Sequence, residues 1–158
     1  NLTSQLFANI YLNNLDHYIK EKLGCKYYIR YVDDFVVFDN SKDKLHLVKQ
    51  KIQKFLDHYK IELHSNKSQV RKTNEGIKFL GYRIFPKYLL VNKENVKRFN
   101  KKLRKYQNLY RAGKLSFQKI KQTMMSWNAH AKWANSYILR KKLFDYYVFR
   151  VKSKRLFL

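Results

Sequence analysis

A chain of 158 residues with 16% aromatic and 45% hydrophobic content has apolar material for one compact domain, or for a small unit with a helical appendage, and too much for disorder. Its net charge of +24 makes a polyanion the expected partner, nucleic acid before anionic membrane, because self-repulsion on that scale is best tolerated against phosphates. The single Cys25 excludes an intramolecular disulfide and a Cys-rich zinc site and fits a reducing cytoplasm, while no stretch approaches the roughly 20 apolar residues that span a bilayer and no signal-peptide pattern opens the chain.

In chain order, Thr3 or Ser4 can cap a first helix, in which Leu6, Ile10, Leu12, Leu15 and Ile19 recur at helical spacing until Gly24 stops it, giving a helix to about Leu23. Two aromatic and β-branched runs follow, Lys26 to Tyr31 and Phe35 to Phe38, separated by Val32-Asp33-Asp34. That spacing predicts a β-hairpin. Asn40 and Ser41 can cap a second helix, with Leu45, Val48, Ile52, Phe55 and Leu56 on its apolar face. After the short run Ile61-Glu62-Leu63 and the polar segment His64 to Ser68, a second β region is expected from Gly76 to Val91. Within it, Phe79 to Phe85 and Tyr88 to Val91 flank a turn at Pro86-Lys87.

From Asn92 the character changes. Residues 1–92 carry 16 Lys/Arg against 9 Asp/Glu, whereas residues 93–158 carry 19 against 2. Three basic amphipathic helices are predicted, at about 93–111, 115–134 and 136–149, with breaks near Gly113 and Asn135. The fold class is α+β, an α+β unit followed by an all-α basic unit. No internal repeat or low-complexity linker interrupts it.

Adjacent carboxylates at a tight turn between apolar strands repel one another and gain nothing from a core. A hard divalent cation resolves that conflict, since carboxylate oxygens hold Mg²⁺ while substrate phosphates and waters complete its octahedron. An isolated Asp-Asp pair is more often an ordinary turn. Here the pair follows Tyr31-Val32 inside an apolar hairpin, in a strongly basic chain.

Tyr31-Val32-Asp33-Asp34 resembles the Tyr-x-Asp-Asp signature of reverse transcriptases, and the surrounding motifs come in that family's order. Asn1-Leu2-Thr3-Ser4-Gln5 resembles the motif that lines the nucleotide pocket. Leu63 to Ser68 is similar to the later palm motif whose lysine lies near the incoming triphosphate. Phe79-Leu80-Gly81-Tyr82 looks like the primer-grip hairpin, and the basic helices stand where the thumb should be. The resemblance covers nearly the whole chain and implies the C-terminal portion of a polymerase palm over 1–92 and a helical thumb over 93–158. Gln5, where most bacterial and intron reverse transcriptases have proline, makes the chain most similar to the enzymes of diversity-generating retroelements.

What the resemblance implies is RNA-templated DNA synthesis by two-metal nucleotidyl transfer, with two Mg²⁺ ions, or Mn²⁺ in their place, held by Asp33 and Asp34. Tyr31 and Val32 would contact the primer terminus, Ser4 and Gln5 the incoming nucleotide or template base, and Lys67 the departing pyrophosphate. Leu80, Gly81 and Tyr82 would hold the primer strand, and Lys97, Arg98, Lys101, Lys102, Arg104 and Lys105 the duplex backbone. The bland alternatives are strand packing for Tyr31 and Val32, a helix cap for Ser4 and Gln5, a surface lysine for Lys67, and a bulge for Leu80-Gly81. Trp127, His130 and Trp133 form an aromatic stripe of the kind that is more often core than a base-stacking platform, and no second histidine or carboxylate at compatible spacing makes His130 a metal ligand.

The implied partners are an RNA template, a DNA primer and their RNA–DNA hybrid, deoxynucleoside triphosphates and a basic accessory protein, with no membrane. The family's third metal-binding carboxylate and its fingers lie upstream of these motifs, so the chain is expected to be part of a longer enzyme and inactive alone. The competing expectations are a non-catalytic nucleic-acid-binding remnant, a group II intron or retron-type enzyme, and an RNA-dependent RNA polymerase. The last is disfavoured because its acidic turn has Gly where Tyr31-Val32 stand.

Overall fold

The computed structural model describes residues 2–150. Asn1 of the first motif and residues 151–158 of the expected thumb lie outside the described residues. The chain is α+β and divides into two compact units, Asn1–Arg71 and Lys72–Leu158.

The first unit opens with α1 (Leu2–Tyr11) and α2 (Asn13–His17), which runs on into a π-helical turn at Tyr18–Lys22. The single helix expected up to Leu23 is therefore broken at Leu12. Thr3 and Ser4 lie inside the first turn of α1 and not at a cap position. The end is as expected: Gly24 adopts φ +62°, a conformation open to glycine without a side-chain penalty. Strands β1 (Tyr27–Tyr31) and β2 (Asp34–Phe38) pair antiparallel, with Tyr31 opposite Asp34 closing a two-residue loop. Helix α3 (Lys42–Asp57) is capped by Ser41, whose hydroxyl accepts from the Lys44 N–H at 3.2 Å, which satisfies one of the orphan donors of the first turn.

The core of this unit is built by periodicity. Leu15 and Ile19 from the second half of the helical entry, Cys25, and Val48, Ile52 and Leu56 from α3 are buried together. Tyr28, Phe35 and Val37 of the hairpin pack on them. Cys25 thus has the small buried apolar role expected of it, and burial pushes its thiol up from the usual range. Leu6 and Ile10, assigned to the same apolar face by spacing, are exposed on α1. Residues 61–71 contain no strand. They are held to α3 through the side chain of Gln53, which accepts from the Leu63 N–H at 3.1 Å, and through Lys49, whose ammonium donates to the Ser68 carbonyl.

In the second unit β3 (Ile77–Phe79), β4 (Tyr82–Ile84) and β5 (Leu89–Val91) form an antiparallel sheet in sequence order. The run Phe79 to Phe85 is cut by a tight turn at Leu80-Gly81, within the segment whose resemblance implied a hairpin, and the turn expected at Pro86-Lys87 joins β4 to β5. Helices α4 (Lys93–Arg111), α5 (Phe117–Ala131) and α6 (Tyr137–Tyr146) follow within a few residues of their predicted limits. Asn92 and Ser116 cap α4 and α5, and Gly113 takes φ +70° in the first break. Val91, Phe99, Leu103, Trp127, Ala131, Ala134, Leu143 and Tyr147 make the core. Leu103 is wholly buried, so truncation to alanine would cost about 2–5 kcal/mol.

The aromatic stripe divides. Trp127 is core, stacked on Phe99 with ring centroids 4.2 Å apart, whereas Trp133 is 75% exposed beyond the end of α5. Among the described residues no helix is long and apolar enough to cross a membrane.

Candidate active site

The acidic turn is the tip of the β1–β2 hairpin. Val32 and Asp33 are the two loop residues and Asp34 is the first residue of β2. Val32 has φ +57° and Asp33 does not share the positive value. A positive φ at the first loop position alone is the pattern of a type II′ turn, which matches the right-handed twist of the strands and ordinarily takes glycine at that position. A β-branched residue there is strained by about 1–3 kcal/mol, and such strain persists only where neighbouring structure enforces it.

Both aspartates are exposed. Despite the 35 Lys/Arg in the chain, neither takes part in any of the four ion pairs among the described residues. Two unpartnered carboxylates on consecutive residues of a rigid turn are hard oxygen donors and fit a divalent cation. Among the described residues no group of three or more His, Cys, Asp or Glu side chains assembles a full metal site, so the donor set fits but accounts for part of a coordination sphere.

A polar cluster lies behind the turn. Arg30 lies on the inner face of β1 with Tyr28, and its side chain is 9% exposed. Its guanidinium forks onto the Asp16 carboxylate of α2, with Nε to Oδ1 at 2.7 Å and a second nitrogen to Oδ2. The remaining nitrogen donates to Asn9 Oδ1 of α1 at 3.0 Å and to the Val32 carbonyl at 2.7 Å. Tyr28 adds a hydroxyl bond to Asp16 at 2.6 Å. Burial would raise the Asp16 pKa, but the hydrogen bonds from Arg30 and Tyr28 and the Arg30 charge prevail and hold it below the usual carboxylate range. Tyr28 is pushed well above the usual phenol range, by burial first and by its bond to Asp16 second.

Lys67 sits in the same unit, in the turn His64 to Ser68, where its backbone N–H donates to the His64 carbonyl at 3.0 Å. Its side chain is exposed, and no hydrogen bond or ion pair joins it to either aspartate. Ser4 and Gln5 are exposed in α1. Tyr31 is exposed and Val32 half-buried.

The second tight turn belongs to the second unit. Leu80 at φ +49° and Gly81 at φ +83° are both left-handed, the type I′ arrangement of a two-residue hairpin. A Cβ on Gly81 would lie 3.2 Å from the His130 ring, so glycine here permits a close approach between the turn and α5. Tyr82 stacks on His130 at 4.4 Å, and its hydroxyl donates to the His130 carbonyl at 2.8 Å. Asn95 of α4 extends the cluster, accepting from Trp127 Nε1 at 3.0 Å and meeting His130 Nε2 at 3.4 Å.

On α4 the residues Lys97, Arg98, Lys101, Lys102, Arg104 and Lys105 are all exposed and belong to no ion pair among the described residues. Arg98 and Lys102 line a groove of about 480 Å³ with Lys119, Gln122, Thr123 and Ser126 of α5.

Arg30, Asp16 and His130 were not singled out as site residues by sequence. The available signal was parity: Arg30 shares its strand face with the core residue Tyr28, and a charge on an inward strand position requires a partner.

The family description reverse transcriptase (RNA-dependent DNA polymerase) matches residues 2–84, from α1 through β4. No curated protein matches the chain.

Proposed function

Since the chain belongs to the reverse transcriptase (RNA-dependent DNA polymerase) family, we propose that it carries the metal-binding turn and the primer- and duplex-holding elements of an enzyme that copies RNA into DNA. Residues 1–92 act as the C-terminal portion of the palm and residues 93–158 as the thumb. The observation that carries this reading is the Val32-Asp33 turn, which presents Asp33 and Asp34 exposed and unpaired in a chain crowded with cations. Asp33 and Asp34 would hold two divalent ions, Mg²⁺ or Mn²⁺, together with a further carboxylate. When bound, these ions activate the primer hydroxyl and stabilise the leaving pyrophosphate.

The protein's own groups supply the rest. Tyr31 and Val32 bear on the primer terminus, and Ser4 and Gln5 on the incoming nucleotide and template base. The Lys67 ammonium stabilises charge that builds on the pyrophosphate in the transition state. Leu80, Gly81 and Tyr82 hold the primer strand through backbone and ring faces, the Tyr82 hydroxyl being engaged by α5. The exposed cations of α4 meet the phosphates of the hybrid. Gln5 supports assignment to diversity-generating retroelements, with a group II intron or retron enzyme as the alternative, and a basic accessory protein is the further partner of the first assignment.

The test is Asp33→Asn in the polymerase that carries this chain. Primer extension on an RNA template should be abolished while affinity for RNA–DNA hybrid stays near that of the parent. Retained synthesis would remove the metal assignment.

A further inference from the structure

We infer that Arg30, held by Asp16, is the positioning residue that fixes the acidic turn in its working conformation. The inference rests on the reading of Asp33 and Asp34 as metal ligands.

The turn is locally unfavourable as written. Val32 occupies a left-handed backbone position that its branched Cβ disfavours, so the hairpin sequence alone does not hold it. Among the described residues the one side-chain donor to the loop backbone is Arg30, at 2.7 Å from the Val32 carbonyl. That carbonyl belongs to the peptide linking Val32 to Asp33, so its orientation sets the direction in which the chain enters the first carboxylate. A two-residue loop leaves few other degrees of freedom.

A long side chain can fix a peptide only if it is itself fixed, and this one is. The bidentate fork onto Asp16 sets the plane of the guanidinium, and Asn9 takes a further bond. Tyr28 in turn fixes the Asp16 carboxylate. These partners come from α1, α2 and β1, so the turn is referenced to the helical entry of the unit and to its own strand. Lysine would retain the charge and lose the fork, since an ammonium on a flexible stem has no plane.

Asp16 has a second effect. A guanidinium paired to a carboxylate within its own cluster is not available to the two exposed aspartates three and four residues further along the chain. The arrangement thus places a cation next to a metal-binding turn without letting it compete for the ligands.

The decisive experiment uses Arg30→Lys, Asp16→Asn and Asp33→Asn in the polymerase that carries this chain. The readouts are kcat, nucleotide KM, the Mg²⁺ concentration dependence, hybrid affinity and Tm. For Arg30→Lys the expected result is a kcat lower by about ten- to a hundredfold, an Mg²⁺ requirement shifted to higher concentration, and unchanged KM and hybrid affinity. Asp16→Asn should shift the Mg²⁺ dependence in the same direction. Replacing Val32 by glycine relaxes the turn's need for enforcement, so Val32→Gly combined with Arg30→Lys should show a smaller Arg30→Lys effect than the parent background does.

Arg30→Lys with wild-type kcat and Mg²⁺ dependence overturns the inference, as does a loss of kcat that only tracks loss of Tm and hybrid affinity, or an equal Arg30→Lys effect in both Val32 backgrounds. Synthesis that survives Asp33→Asn instead removes the metal reading beneath it, so the two failures are distinguishable.

Discussion

Asp16 is an acidic side chain whose ionisation bears on the stability of the first unit. Its pKa is lowered, as are those of Glu21, Asp39 and Glu94, but these three pair with the exposed side chains of His17, Lys44 and Lys78, where solvent screens the interaction. A carboxyl depressed in the folded state stabilises it fully above the unfolded value, here 3.8, and that contribution is lost as the pH falls through the lower folded value. Acidification below 3.8 should therefore weaken the unit, and Asp16→Asn should flatten this acid limb while lowering stability at neutral pH. Urea denaturation across the acid range checks both. At this scale the aspartate pair of the turn is legible in sequence because two adjacent acids between apolar runs have few explanations. Arg30 is not, because its meaning depends on Asp16, which is distant in sequence and meets it only after the helix and hairpin have packed.

The elements differ in how much of their form is local. Helices α3 to α6 follow from period and their capping and break residues, strands β1 and β2 follow from their aromatic and β-branched runs, and their limits in the structure lie near those predicted. The break at Leu12 has no proline or glycine to announce it, and the division of Phe79–Phe85 into β3 and β4 requires Leu80 in a left-handed conformation that its side chain does not advertise. On α4 the buried Phe99 and Leu103 fix which face is turned inward, and that leaves Arg98 and Lys102 on the flank shared with α5. Binding of the chain to RNA–DNA hybrid should weaken steeply with salt through counterion release, and each of Arg98→Ala and Lys102→Ala should reduce the slope of log K against log salt by roughly 1. A slope unaltered by both, measured by anisotropy titration over a salt series, would place the phosphates elsewhere.

For the whole molecule, charge and packing divide the chain at different points. The change in composition falls at Asn92, whereas β3 to β5 pack in the same compact unit as the basic helices. Sequence reports what an element carries and packing reports what it leans on, and strands β3 to β5 carry few charges yet lean on α5 through Tyr82 and His130. On the proposed reading of Asp33 and Asp34 as two of three metal-binding carboxylates, the isolated 158-residue chain should fail to extend a primer on an RNA homopolymer with Mg²⁺. Measured synthesis by the chain alone would show that it completes the site by itself.

The β1–β2 hairpin bears on how such a protein must be handled. It is a two-stranded sheet among the described residues, with Tyr27, Ile29 and Tyr31 exposed along one strand, and an apolar strand with a free edge is a template for pairing with another copy. A net charge of +24 keeps copies apart at low ionic strength, and salt or a neutralising polyanion removes that protection within a Debye length of about 10 Å. Colloidal stability and nucleic-acid binding are therefore opposed in this chain: the additive that occupies its cations also lets its strand edges meet.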